Sequence, residues 1–357
     1  MTRKHWAILT LTLLIGSIVG IIGSVVIIDP FEIYHQATAF IPPITNGTQI
    51  YSNAGIAKQY EYDSVIIGSS MTENFLPSQF DALLGGRFVK LPVNAGSPYN
   101  HKQMMDMAFA THDVRRVFYG IDVELMSYFY TTPKCEMPDY LYDDDLLNDI
   151  HYWFNHSVLL EYIPQCLSTW GQRDDDQRDT MYTWGDLYTY GPEAALAGIT
   201  ISSAVVEQDA PQEDPQLDQQ TRLNVEHNIV SFITAHPETE FIFFFPPYSI
   251  VHWYDFYARG SLQSQLTQKE AVVKALLPYD NVQIYDFQAR TDWICDLDNY
   301  IDATHYGPWI NEEIVLAVSE GRERITSLAQ VQANDAVIRQ SVDTLRAAGA
   351  YTDSLFD

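Results

Sequence analysis

Residues 64–74 read Ser-Val-Ile-Ile-Gly-Ser-Ser-Met-Thr-Glu-Asn (SVIIGSSMTEN). The run 64–67 is short, apolar and β-branched, which suits a strand buried on both faces. Gly68 permits a tight turn, and the Ser69 and Ser70 hydroxyls follow it. In open parallel sheets the carboxyl ends of the strands are where sites form, so this turn is the first place to look for chemistry.

The same punctuation recurs downstream. Runs 87–93 (RFVKLPV), 114–121 (VRRVFYGI), 240–245 (EFIFFF) and 281–287 (NVQIYDF) read as further strands. Helical stretches fall between them: 77–84 opens on proline, 100–111 follows a capping residue, and 221–235 and 262–277 space their apolar residues for a helix. Pro308–Ser319 follows the last strand. Strand–helix alternation of this kind predicts an α/β domain with a central parallel sheet and helices on both faces.

Two segments break the rhythm. A long insertion, about 123–220, separates the third and fourth strands. It carries the acidic runs 143–145 and 174–176 and a polar stretch, 207–220, that reads as a surface loop. The tail, 331–357, has helical character near 335–348.

At the other end, Arg3 and Lys4 precede an uncharged apolar run from Trp6 to Ile28. Twenty-three residues at about 1.5 Å each reach roughly 34 Å, enough to cross a bilayer core. The basic residues in front of the run place the N-terminus inside. No small-x-small cleavage site closes the run, which argues for an uncleaved anchor over a signal peptide. The expected layout is a cytoplasmic stub 1–5, a transmembrane anchor 6–28, a connector 29–60 rich in proline, and an extracytoplasmic domain 61–330. The chain is thus expected to be a single-pass protein of the cell membrane.

The formal net charge of −27 repels phosphate backbones, so nucleic acid is excluded as a partner. Of the three cysteines, Cys135 and Cys166 share one segment and are the candidate disulfide of an exported domain. Their spacing fits no zinc or thioredoxin motif, and His151 and His156 lack the spacing of a helical metal pair, so neither metal nor cofactor is expected.

Residues just after the strands supply the candidate chemistry. Gly68-Ser69-Ser70 presents a hydroxyl. Asn94-Ala95-Gly96-Ser97 follows the second strand and Gly120-Ile121-Asp122 the third. Near the end of the domain stands Asp302-Ala303-Thr304-His305-Tyr306, in which a carboxylate three residues before a histidine can fix the imidazole tautomer and free the other nitrogen as a base. Taken singly, each has a plain alternative: a serine-capped turn, an ordinary βα turn, an Asp N-cap beside a surface histidine.

In this order, the blocks resemble those of the SGNH (GDSL-type) serine hydrolases, over roughly residues 62–320. The chain is similar to the diverged extracytoplasmic members that accompany bacterial glycan or wall-polymer acylation. The resemblance implies a flavodoxin-like three-layer sandwich. It implies Ser70 as nucleophile, His305 as general base and Asp302 as its orienting carboxylate. The Ser70 and Gly96 N–H groups match two oxyanion-hole donors, each typically worth about 3 kcal/mol in the transition state. The family's third donor is an asparagine amide, and here the position is Asp122; Asn94 and Asn100 are the nearby candidates to replace it. Ser69 stands where the family usually has aspartate.

An acylated cell-surface glycan or wall polymer is the substrate class implied, processed by an esterase or O-acyltransferase. A neighbouring membrane-bound acyltransferase is the partner of a variant scheme. The Asp122 departure motivates a different expectation, a catalytically inactive binding or assembly module in polysaccharide biosynthesis or export. The aromatics Tyr128, Tyr130, Trp153, Trp170, Trp184 and Tyr188 in the insertion suit either sugar stacking or internal packing. The turn 245–248 (FPPY) lies on the mouth side of the sheet, and Asn155-His156-Ser157 is a sequon.

Overall fold

The computed structural model describes residues 2–173, 176–197 and 215–347. Residues 174–175 of the second acidic run, 207–214 of the polar stretch and 348–357 of the tail lie outside the described residues. The chain forms two compact units, Tyr62–Glu136 with Arg178–Asp357, and Met1–Glu61 with Met137–Gln177.

The larger unit is an α/β fold on a six-stranded sheet ordered β2-β1-β3-β4-β5-β6. The strands are β1 Ser64–Gly68, β2 Phe88–Pro92, β3 Arg116–Gly120, β4 Glu240–Phe245, β5 Val282–Asp286 and β6 Arg324–Ile325. The first five pair in parallel. The sheet is not wholly parallel: β6 runs antiparallel to β5, with Ile284 opposite Ile325. Two residues carry no periodicity, so this edge strand left no mark in the pattern.

Alternate side chains explain the double burial. Ile66, Phe118 and Ile242 lie in register across β1, β3 and β4, and Phe118 meets Phe80 of the Pro77–Leu84 helix with ring centroids 4.8 Å apart. On the opposite face, Tyr119 meets His101 and Phe241 meets Phe109, both rings coming from the Pro98–Thr111 helix. Each fully buried ring of this kind contributes roughly 1.5–3 kcal/mol.

The 221–235 helix is longer than its apolar spacing predicts. It runs from Pro215 to Ala235 and widens into a π-helical stretch at Val225–Val230. Here Asn224 Nδ2 donates to the carbonyls of Met126 and Tyr128, and Asn228 Nδ2 to that of Tyr130. The helix thereby clamps the chain leaving β3.

After β1 the chain crosses to β2 on one side, then returns to β3 on the other. The crevice opens at this reversal of strand order, over the carboxyl ends of β1, β2 and β3.

The smaller unit begins with the apolar helix Arg3–Ile28, which is long and apolar enough to cross a membrane. Residues 29–60, expected as a connector, are folded. They include the helix Gln49–Gln59 and share a core with 137–177, in which Phe31, Ala54, Leu141 and Tyr152 are buried. Buried Glu32 accepts from Tyr60 Oη (2.6 Å), the Ala37 N–H (2.7 Å) and Arg173 Nη1 (2.9 Å). All three cysteines are free, so the candidate Cys135–Cys166 bridge is not formed.

Candidate active site

Three side chains from two distant stretches form a chain of hydrogen bonds. Ser70 Oγ lies 2.7 Å from His305 Nε2, and His305 Nδ1 lies 2.7 Å from Asp302 Oδ2. The local fold explains each placement.

Gly68 has φ +153°, and a Cβ there would lie 2.6 Å from Thr72 Cγ2. Glycine therefore allows the chain to turn closely over β3. Ser69 Oγ accepts from the Met71 N–H (3.3 Å) and caps a 3-10 turn, Ser70–Thr72, at whose first position Ser70 sits. The Ser70 N–H, at the start of that turn, has no intrahelical acceptor and is available to a ligand.

The Asp302 turn is held by its own carboxylate. Oδ1 accepts from the N–H groups of Thr304 and His305, both at 2.8 Å, leaving Oδ2 for the imidazole. Ser249, after β4, donates its hydroxyl to the Ala303 carbonyl (2.7 Å) and ties this turn to the sheet. Burial alone would raise the Asp302 carboxyl. The His305 hydrogen bond and charge, with the two backbone donors, outweigh it and hold Asp302 well below the usual carboxylate range. His305 feels the reverse: burial pushes it down, and Asp302 more than compensates, so it titrates above the ordinary histidine value.

Trp184 of the insertion reaches the site through partners that no local pattern singled out. Trp184 sets its edge against the His305 ring, with centroids 5.4 Å apart and planes at 87°. Trp184 is placed by Asn74, whose Oδ1 accepts from the N–H groups of Trp184 (2.9 Å) and Gly185 (3.1 Å). Lys90, on β2, reaches the Glu73 carbonyl (2.8 Å) and the Asp179 carbonyl (3.2 Å), and burial brings its pKa down to about 7. The insertion aromatics thus divide. Trp184 stands by the imidazole and the half-exposed Tyr188 packs against Trp184, whereas Tyr130 stacks on His227 and Tyr128 lies under Lys134.

The expected oxyanion donors fare differently. The Gly96 N–H donates to the Val93 carbonyl at 2.8 Å and is spent there. Gly96 is needed for packing instead, since a Cβ would lie 2.8 Å from Val93. Ala95, at φ +52°, lines the pocket in its place. Asn100 commits its amide nitrogen to the Cys135 carbonyl (2.8 Å), and neither it nor Asn94 lines the pocket that holds Ser70 and His305.

Asp122 lines the pocket with Ser70 and His305. Its Oδ1 accepts from Tyr248 Oη, and its Oδ2 is buried without a hydrogen-bond partner. Burial raises its pKa; the Tyr248 and Ser69 hydroxyls and the His305 and Lys134 charges offset this only in part. A buried carboxyl so placed can hold a proton on Oδ2 and present it as a donor.

The pocket itself is small, about 140 Å³, and is lined also by Met71, Leu125 and His252. A larger, mostly apolar cavity of about 590 Å³ lies between the Pro215–Asn224 and Leu262–Leu276 helices. It brings together no nucleophile and base, so size does not make it the reactive centre. Among the described residues no cluster of three His, Cys, Asp or Glu is arranged to hold a metal.

No family model matches the chain, and no curated protein matches it. Among solved structures, one from Streptococcus pneumonia, provisionally described as a platelet activating factor, is similar at 13% identity. It covers 77% of this chain and 91% of its own, with a TM-score of 0.40. A likeness of that level carries no argument for fold or function.

Proposed function

We propose that this chain is a membrane-anchored serine acyl esterase or O-acyltransferase of the SGNH type. The observation that carries the reading is the continuous Ser70–His305–Asp302 relay, with both heavy-atom distances at 2.7 Å. A hydroxyl donating to an imidazole, whose other nitrogen is held by a low-pKa carboxylate, is the constellation of an activated nucleophile.

The reaction follows from the geometry. Ser70 Oγ attacks the ester carbonyl as its proton passes to His305 Nε2. The carbonyl oxygen becomes an oxyanion, faced by the Ser70 N–H and by Asp122, whose carboxyl serves as a donor there only in its protonated form. The tetrahedral adduct collapses as His305 returns the proton to the departing alkoxide. Water or an acceptor hydroxyl, deprotonated by His305, then attacks the acyl carbon, and His305 passes that proton to Ser70 Oγ as the acyl–Oγ bond breaks.

The small pocket favours a short acyl group, because whole-ligand sites usually run about 300–1,000 Å³. The alcohol part lies outside it. We place an acylated glycan or wall polymer there, on the SGNH resemblance and on the exposed Tyr188 face beside Trp184, which suits a sugar ring. The apolar helix Arg3–Ile28 holds the protein at the membrane, with Arg3 and Lys4 on the inner side.

A second reading rests on Asp122: an ionised carboxylate there would repel an oxyanion, and the fold would serve as a binding or assembly module. Fluorophosphonate labelling of the full chain separates the two. Labelling at Ser70 that disappears in His305→Ala supports the enzyme. A folded chain that never labels sinks it and leaves the binding module.

A further inference from the structure

The apolar helix is longer than the part of it that stands free. Residues 3–20 are exposed, while most of 21–28 is wholly or partly covered by the smaller unit, with Val25 fully buried. A hydrocarbon core of about 30 Å takes roughly 20 helical residues. Counted from Trp6, the first residue of the uncharged run, that length ends at about Val25. The turns that the protein covers therefore fall at the outer edge of the hydrocarbon and not above it.

Three short elements contact this end of the helix: Ile150–Trp153, Val158–Tyr162 and Ile163–Ser168. Their inner side chains, Tyr152, Val158 and Ile163, share a core with Val25. Their exposed side chains include the apolar Ile150 (50%), Leu160 (67%) and Leu167 (51%), beside the polar His151, Glu161, Gln165 and Ser168. Leu147 (84%), Phe154 (42%) and Trp170 (58%) extend the set into the flanking turns. Monomeric surfaces scatter such residues singly; a concentration of them around one helix end marks an apolar contact.

Resting on the anchoring reading above, we infer that this rim of the smaller unit is seated in the outer leaflet of the same bilayer. Continuity with the spanning helix identifies the occupant as lipid: the elements packed on the Val25 end of that helix stand at the depth of acyl chains and headgroups. Trp170 suits that boundary, where indole rings settle. Charge is not what holds the rim down. Asp143, Asp144 and Asp145 precede Leu147, and Glu161 lies between Leu160 and Tyr162, so anionic lipid would repel it. Insertion is driven by apolar burial and favours zwitterionic lipid.

The test uses the full chain in phosphatidylcholine bilayers, with its three cysteines replaced and one nitroxide label at a time. Leu13→Cys, in the free part of the helix, reports on spanning alone. Ile150→Cys, Leu160→Cys and Leu167→Cys report on the rim. Collision with oxygen at all four sites, and exclusion of a water-soluble nickel chelate, is the expected result. Seating should weaken as phosphatidylglycerol replaces phosphatidylcholine, read as rising nickel collision at Leu160.

A lipid-buried Leu13 with rim labels open to nickel overturns the inference and leaves the anchor standing. A Leu13 label open to nickel overturns both. Dipolar broadening between Leu160 labels of two chains would put a second copy on the rim and overturns the lipid assignment.

Discussion

The Tyr248 hydroxyl donates to Oδ1 of Asp122, a carboxyl that lines the same pocket as Ser70 and whose Oδ2 is buried. The pairing bears on the conflict that the sequence poses at this position. A carboxylate at an oxyanion site is repulsive, but a carboxylic acid fixed by a tyrosine through one oxygen can donate from the other.

This pairing predicts an unusual pH profile for ester turnover. His305 must be neutral to act as base, so the rate rises as pH climbs through its raised pKa. Asp122 must be protonated, so the rate falls as pH climbs through its own raised pKa. The charges that face Asp122 are His305 and Lys134, and those that face His305 are Asp302, Glu73 and Asp122. Asp122→Asn should raise the rate on the alkaline side and abolish the fall. A profile unchanged by Asp122→Asn would remove Asp122 from the oxyanion site.

Asp302→Asn should leave the fold intact and lower kcat by about 10⁴, because the amide stabilises the wrong imidazole tautomer. Rates of fluorophosphonate labelling at Ser70, measured on the variant and the parent, check this directly. Equal rates would mean that His305 is oriented by something other than Asp302.

Asn74→Ala strips two buried N–H groups, those of Trp184 and Gly185, of their acceptor. Each such orphan costs about 1–3 kcal/mol. The melting temperature should fall, and Ser70 labelling should slow because Trp184 loses its place against His305. Asn74→Asp keeps the acceptor oxygen and should restore both. Slow labelling in both variants would show that Asn74 acts other than through that oxygen.

Buried Lys269 bridges Asp286 (3.1 Å) and Asp335 (2.5 Å). Lys269→Met should destabilise by about 3–5 kcal/mol, since it leaves two buried carboxyls without their cation. The loss should be pH-dependent. Burial already raises Asp335 to about 6, so the native state holds its proton longer than the unfolded chain. Its contribution then falls as pH rises from about 4 through about 6. Without Lys269 the effect deepens, and urea unfolding should show a larger deficit at pH 8 than at pH 5.

The sheet was legible because β1 to β5 are buried on both faces, and that burial writes itself as apolar runs. Ser70, Asp302 and His305 were legible because each stands on a turn with its own short signature. The partners across space were not. Asn74 reaches Trp184 over 110 residues, and Glu32 reaches Arg173 over 141. Contacts at such separation leave no periodicity, which is why residues 29–60 read as a linker and the insertion as one block. Gly96 shows the opposite failure. Its residue type was read for an available N–H, but the glycine serves packing and the N–H is consumed by Val93.

A protein hung on a flexible tether can sample a wide range of orientations above a bilayer. The helix Arg3–Ile28 ends instead in a left-handed Asp29, whose buried carboxylate accepts from the N–H groups of Tyr34 and His35 and from the hydroxyl of Tyr152. On the anchoring reading proposed above, the helix would act as a mast and not a rope. Bilayer thickness, which biases the tilt of a spanning helix, would then become a mechanical input to residues 29–61 and 137–177.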